Sequence, residues 1–242
     1  MSQILSTNYQ LVILSDIHAN GPSIREVANK IPDDAVVVFL GDAVGYYDEP
    51  NFACDYLKER ANFALAGNHD RYTTGQLPYP TERDSKYRIQ WTRDVLTSRN
   101  LNWLEELPTE LSLKLPNPFL LRFGENIKEI RSVQLAHGAP GNCEKYVYPD
   151  SNIEFDLPDG TLALLGHTHH AMIRTTKFGV VLNPGSIGQP RDRNPASSFA
   201  TIDFPTGSIT HHRISYNHKE YARMLTEKGF DEESISMLTR TS

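Results

Sequence analysis

Residues 11–18 read LVILSDIH, and residues 36–42 read VVVFLGD. In each, an apolar run of strand length stops at a residue that can hold a proton or a metal. Such runs, bounded by polar residues, read as strands buried on both faces. Between them Asn20, Gly21 and Pro22 mark a turn, and Pro22 suits the first position of a helix. A helix is expected over about 22–30, ended by Pro32, Asp33 and Asp34. A second helix is expected over about 51–60, and FALA at 63–66 supplies a third strand. This β-α-β-α-β order argues for a parallel sheet flanked by helices.

Outward from this core, residues 71–84 carry Gly75, Pro78 and Pro80 and read as a surface loop. About 85–107 is patterned as helix, broken near Asn100 and ended by Pro108. Strands are expected at 111–115, 119–123, 132–136, 161–166, 172–176 and 179–183. Residues 199–204 and 208–214 read as an antiparallel hairpin around Pro205, Thr206 and Gly207, and 219–238 as helix. No repeat, low-complexity segment or shift in composition marks a linker. One domain over 1–242 is expected, with a helical insert at about 71–107.

Composition narrows the function classes. The chain has 242 residues, 39% hydrophobic and 22% charged, which fits a soluble globular protein and argues against disorder. A formal charge of −6 without a basic stripe argues against stable nucleic-acid binding. It leaves room for a small phosphorylated substrate, because a bound metal supplies positive charge locally. Two cysteines, Cys54 and Cys143, exclude a disulfide framework and a Cys-rich zinc module. No run approaches the ~18 apolar residues of a membrane span, and residues 1–10 lack the features of a signal peptide. A cytoplasmic protein without a membrane partner is expected; nothing in the sequence fixes an oligomeric state.

Five strand ends carry the chemistry. They are Asp16 and His18, then Gly41 and Asp42, then Gly67, Asn68, His69 and Asp70, then His137 and Gly138, then Gly166, His167, Thr168 and His169. In open α/β sheets the functional crevice lies beyond the carboxyl ends of the strands. Taken singly, each motif has a plain alternative in turn or capping chemistry. Five of the nine histidines fall at these ends, and that concentration carries the functional reading.

As an ordered set, these motifs resemble the calcineurin-like metallophosphoesterase superfamily over about residues 11–214. GDAVGY at 41–46 and NPGSIGQPRD at 183–192 are similar to its small bacterial and archaeal predicted phosphodiesterases. The resemblance implies an α/β fold, a four-layer α/β/β/α sandwich of two mixed sheets flanked by helices, with two divalent metals at the strand ends. It implies that Asp16, His18, Asp42 and His169 hold one metal, and that Asp42, Asn68, His137 and His167 hold the other, with Asp42 bridging. His69 would protonate the leaving group. Imidazole and carboxylate donors without thiolate suit Mn, Fe, Ni, Co or Zn better than Mg or Ca. A bridging carboxylate can hold two cations at the spacing of about 3.5–4 Å used in two-metal hydrolysis. The implied reaction is hydrolysis of a phosphodiester by in-line attack of a hydroxide held between the metals. The alternatives are a nucleotide or phosphomonoester phosphatase, dinucleoside polyphosphate hydrolysis included, and a non-catalytic metal-binding scaffold. The second motif continues as Ala43, Val44, Gly45 and Tyr46 where the protein-phosphatase branch carries Asp-Arg-Gly, and the third ends in Asp70 where that branch has Glu. Both departures speak against a protein phosphatase.

Other features bear on the substrate, expected to be small and phosphorylated, with a nucleotide among the candidates. Arg191 could clamp a phosphate, since its planar fork matches phosphate oxygens; Arg193 reads as a solvated loop residue. Asn20 reads as a helix cap. The 71–107 segment could cap the site, with Tyr72, Tyr79 and Trp91 able to stack on a base. The simpler reading has Trp91 and Trp103 packing the insert onto the body.

Overall fold

The computed structural model describes residues 3–4 and 10–241. Most of the N-terminal stretch in which no signal peptide is read lies outside them. In chain order the elements are β1 (Gln3–Ile4), β2 (Gln10–Leu14), α1 (Gly21–Ala28), β3 (Val36–Phe39), α2 (Pro50–Arg60), β4 (Phe63–Ala64) and α3 (Asn68–Thr74). A 3-10 turn (Thr81–Arg83) precedes α4 (Asp84–Tyr87), α5 (Ile89–Val95) and α6 (Ser98–Glu106). The remaining strands are β5 (Glu110–Phe123), β6 (Asn126–Ala136), β7 (Thr161–Leu165), β8 (Met172–Thr175), β9 (Gly179–Asn183), β10 (Ser197–Asp203) and β11 (Ser208–Ile214), followed by α7 (His218–Glu227) and α8 (Glu232–Thr239).

The fold is mixed α/β, a large sheet flanked by helices. Its strand order is β4-β3-β2-β10-β11-β5-β6-β7-β9-β8, with β1 pairing beside β5. Two halves can be distinguished. β2, β3 and β4 run parallel with the β10–β11 hairpin beside them; β6, β7 and β9 run parallel with β5 and β8 at their flanks. The halves join through one residue pair, Ser208 and Arg122, so the two expected sheets form one continuous path.

Side-chain alternation explains the layering. Leu11 and Ile13 of β2, Leu162 and Leu164 of β7, and Val180 and Leu182 of β9 meet in one buried cluster between the halves. The intervening Val12 and Leu14 face the opposite way, against Ile24 and Val27 of α1 and Ala53 and Leu57 of α2. On the outer face of the second half, Ala163, Leu165 and Val181 are covered by Val147, Ile153, Phe155 and Leu157. That cover is irregular chain, not the helix of an ideal fourth layer. α7 and α8 instead pack Tyr221, Leu225 and Leu238 around Tyr46 and Tyr47, beside the strand ends.

The insert differs from expectation in detail. The loop expected from 71 begins as helix, because α3 continues to Thr74 and ends at Gly75. The helical stretch breaks at Arg88, whose φ of 54° is left-handed, and again at 96–97, not at Asn100. Thr97 caps α6 by accepting the N–H of Asn100, which is buried and tied to Asn51. β5 runs unbroken through Pro116 and Pro118, with its register shifting between Lys114 and Phe119, where the prolines remove ladder donors. The C-terminal helix is two helices, divided near Gly229, whose φ of 74° ends the first. Trp91 packs edge-on against Phe230, and Trp103 packs onto the cluster under α1 and α2, as the simpler reading required.

Candidate metal centre

Parallel strands release their chains at one edge, and the polar motifs meet there. Asp16 and His18 follow β2, Asp42 follows β3, and Asn68 and His69 open α3 after β4. His137 follows β6, and His167 and His169 follow β7. Asp16, His18 and His169 form one group of mutually adjacent ligand atoms; Asp42, His137 and His167 form a second. All six are buried.

Asp42 lies between the groups: its Oδ2 is 3.3 Å from His137 Nε2 and 3.7 Å from His18 Nε2. Asp16 Oδ1 is 3.2 Å from His169 Nε2 and 3.8 Å from His18 Nε2. Asn68 Oδ1 lies 3.1 Å from His137 Nε2. Asp16 Oδ1 is buried with no hydrogen-bond partner, a costly state for a carboxylate oxygen facing a ring of imidazole nitrogens. A divalent cation would satisfy it, and the N/O donor set fits a transition metal.

The rings are oriented from behind. His18 Nδ1 faces the Val44 carbonyl at 3.2 Å, His137 Nδ1 the Leu40 carbonyl at 2.8 Å, and His169 Nδ1 the Gln189 carbonyl at 2.6 Å. An N–H donated there leaves each Nε2 lone pair inward. His167 is reversed: its Nε2 faces the Glu144 carbonyl at 3.2 Å, leaving Nδ1 as its inward donor. The carboxylates are fixed as well. Asp16 Oδ2 accepts from Ser15 Oγ and the His167 N–H, and Asp42 Oδ1 accepts the His69 N–H at 2.8 Å.

The backbone bends sharply to achieve this. Asp16, His18, Asp42, His167 and His169 all have φ between 51° and 65°, the left-handed region that non-glycine residues rarely enter. Such conformations cost about 1–3 kcal/mol each and persist where the surroundings impose them. Gly67 is required for a different reason: a Cβ there would collide with Asp42 Oδ1.

Electrostatics favour the ligand state. Burial opposes ionisation of Asp16 and Asp42, but His169 beside the first and His137 beside the second hold both below the usual carboxylate range. Burial keeps His18 and His169 neutral, lowering both. It lowers His167 to about 3 and His69 to about 4. His137 is the exception: burial opposes its charge, yet Asp42 lifts it to about 10, so it carries a proton that a cation would displace.

A cavity of about 300 Å³ opens over Asp42, Asn68, His69, His167 and His169. His69 Nδ1 abuts Gly45 without a partner, leaving Nε2 as the nitrogen available to a substrate. Arg191 lines the cavity, its Nη2 donating to Gln189 Oε1 at 3.2 Å. Tyr72, Pro80, Glu82, Arg83 and Tyr87 of the insert form part of the wall. Tyr79 packs beside Tyr72 and Arg93 outside the lining, and Trp91 is not in the lining either. Asn20 caps α1 through the Ser23 N–H.

The turn-and-cap chemistry read for the third motif falls on Asp70. Asp70 is buried and accepts backbone N–H groups from Asp42, Ala43, Val44 and Gly67, pinning the loop that carries Asp42. Its place two residues after Asn68, opening a helix, was the available signal. Tyr46, quoted in the second motif without a role, also lines the cavity; Tyr87, Glu144 and Tyr146 line it too and were missed, since no local motif distinguishes them from packing residues.

Comparison with known proteins gives the family and the fold. A family profile for the calcineurin-like phosphoesterase superfamily domain matches residues 9–207. An uncharacterised protein of Methanocaldococcus jannaschii is 28% identical over 231 residues, covering 87% of this chain and 89% of that protein. A crystal structure of a metallophosphoesterase from Sphaerobacter thermophilus superposes with a TM-score of 0.73 at 25% identity, covering 96% of this chain and 98% of that one. A hypothetical protein from Pyrococcus horikoshii OT3 shares the fold with a TM-score of 0.74 at 20% identity, covering 97% of this chain and 99% of that one. With the profile spanning most of its length, this chain belongs to the calcineurin-like phosphoesterase superfamily.

Proposed function

We propose that the whole chain is one phosphoesterase unit that hydrolyses a phosphodiester with two divalent transition-metal ions. The observation that carries this reading is Asp42, whose carboxylate lies between the two buried ligand groups. Asp16, His18, Asp42 and His169 would hold one ion, and Asp42, Asn68, His137 and His167 the other. Bound divalent ions supply positive charge to the phosphoryl oxygens and make hydroxide available from water near neutral pH.

The chain's residues do the rest. Arg191 draws in a phosphoryl oxygen with its guanidinium. His69 Nε2 gives a proton to the leaving oxygen as the old P–O bond breaks and the bond to the water oxygen forms. The products are an alcohol and a phosphomonoester, and the proton lost by water restores His69. Burial lowers His69 to about 4 in the metal-free protein. A bound phosphoester anion acts in the opposite sense and favours the protonated ring, so the acid forms when substrate is present.

Tyr46, Tyr72, Tyr87 and Tyr146 line the same cavity, and among the described residues Pro80 is the one aliphatic side chain of the lining. Such a wall suits a planar leaving group, and nucleotides are the first class to try. We place the activity in the cytoplasm. Among the described residues no helix is long and apolar enough to cross a membrane.

The test is to strip the protein of metal, restore Mn, Ni, Co, Zn or Mg, and assay bis-p-nitrophenyl phosphate beside p-nitrophenyl phosphate. Metal-restored turnover, faster on the diester and lost in Asp42→Asn, is expected. Two bound ions without turnover on any phosphoester would favour a binding scaffold and sink the proposal.

A further inference from the structure

Of the four histidines in the two ligand groups, three rest on the loops that close the sheet, and His167 does not. The Val44, Leu40 and Gln189 carbonyls behind His18, His137 and His169 belong to the loops after β3 and β9. His167 is oriented by the irregular segment 139–147. The Glu144 carbonyl faces its Nε2, and the Tyr146 ring stacks on its ring with centroids 4.0 Å apart and planes at 26°. Tyr146 is 43% exposed, stacked in turn on Tyr148.

This strap touches His167 of the second group directly and follows His137 in the chain, and it makes no hydrogen bond to the first group. It begins two residues after His137 and folds on itself through hydrogen bonds from Ala139 N–H to the Lys145 carbonyl and from Lys145 N–H to the Asn142 carbonyl. Its tip is tied to α3, the helix opened by Asn68: Tyr72 Oη donates to Glu144 Oε1, and Arg71 lies 3.4 Å from Cys143 Sγ. Asp16, His18 and His169 take no hydrogen bond from it.

We propose that the strap makes the two cation positions unequal. Asp16, His18 and His169 form the rigid, first-filled position. The position at Asp42, His137 and His167 is second-filled, and its affinity is set by Tyr146 and Glu144 as positioning residues for His167. Tyr146 acts through ring stacking, which fixes the plane of His167. The Glu144 carbonyl fixes which nitrogen turns inward. This rests on the two-ion reading above, and outer partners of this kind typically change metal affinity about 10–100-fold.

The test is calorimetric titration of metal-free protein with Mn, paired with electron paramagnetic resonance for the exchange-coupled Mn pair. The wild type is expected to bind two ions in resolvable steps. Tyr146→Ala should keep the first step within about 2-fold, weaken the second about 10-fold or more, and lose the coupled signal at limiting metal. Tyr146→Phe keeps the stacked ring and should restore both. Tyr72→Phe, which frees Glu144 from α3 without touching His167, should weaken the second step by a smaller factor. Circular dichroism and thermal unfolding identify any variant that fails to fold, and Tyr72→Phe then carries the comparison. Equal weakening of both steps, or no change in either variant, overturns the strap's role while leaving the two-ion reading intact. A wild type that binds a single ion refutes the two-ion reading itself, and this proposal with it.

Discussion

Asp70 offers a sharp test of how the site is held, because its carboxylate makes four bonds that an amide cannot. Oδ2 accepts the N–H groups of Asp42 and Gly67 at 2.8 and 2.9 Å, and Oδ1 those of Ala43 and Val44 at 2.9 and 3.2 Å. In Asp70→Asn one oxygen becomes an NH₂ group, so one pair of buried N–H donors faces another donor. At about 1–3 kcal/mol for each unsatisfied buried group, the loss is about 2–6 kcal/mol. Asn also removes the repulsion between Asp70 and the Asp42 carboxylate, which places the expected value in the lower half of that range. With a urea slope of about 3 kcal/mol/M, the midpoint should fall by about 0.7–1.3 M. Burial, with Asp42 beside it, raises Asp70 from 3.8 to about 7 in the metal-free protein. A raised acid favours the fold most below its unfolded value and loses that contribution as pH rises through the folded one. Wild-type stability should therefore fall as pH rises from 4 towards 7, a loss that Asp70→Asn does not share. The four-bond comparison itself belongs above that value, where Asp70 is ionised, so the assay is urea unfolding of metal-free protein at pH 8. A midpoint there within about 0.2 M of the wild type would refute the claim that these four bonds hold the Asp42 loop.

Three further outcomes follow from the site. His69→Ala should retain both bound ions and lose about 10²–10⁴ in kcat, most for esters with poor leaving groups; full activity on such esters would remove His69 from the reaction. Arg191→Leu should raise KM for a phosphodiester about 10-fold or more with a smaller change in kcat, read from initial rates, since its guanidinium lines the cavity without holding a cation. Uptake of metal near pH 8 should release a proton, because His137 is lifted to about 10 before a cation arrives; calorimetry in buffers of different ionisation enthalpy measures it, and no buffer dependence would contradict the assignment.

The parts of this protein legible in its sequence are those fixed by local pattern. The apolar runs at 11–14 and 180–182 are buried strands because every side chain meets a packed layer on one face or the other. The motif residues converge because parallel strands end at one edge. Less legible was whatever depends on partners distant in the chain. Residues 65–66 carry the same apolar pattern as Phe63 and Ala64, yet β4 stops, because the chain is already turning to present Asn68. Asn100 has the composition of a breaker, but Asn51 of another helix satisfies its amide, so the helix continues. Tyr146 occupies an irregular segment with no periodicity to read, and its importance comes from His167, 21 positions away, whose ring it covers. The same logic explains why the candidate ligands were easier to find than their supports. A residue proposed to hold a cation here is His, Asp or Asn just after a strand, so its type and place are both constrained. A support need only offer a carbonyl, a ring or an N–H in the right place, and a backbone carbonyl such as that of Glu144 is present whatever the side chain. Substitutions at Glu144 should therefore disturb the site mainly through the bond to Tyr72, and those at Tyr146 through the stack on His167.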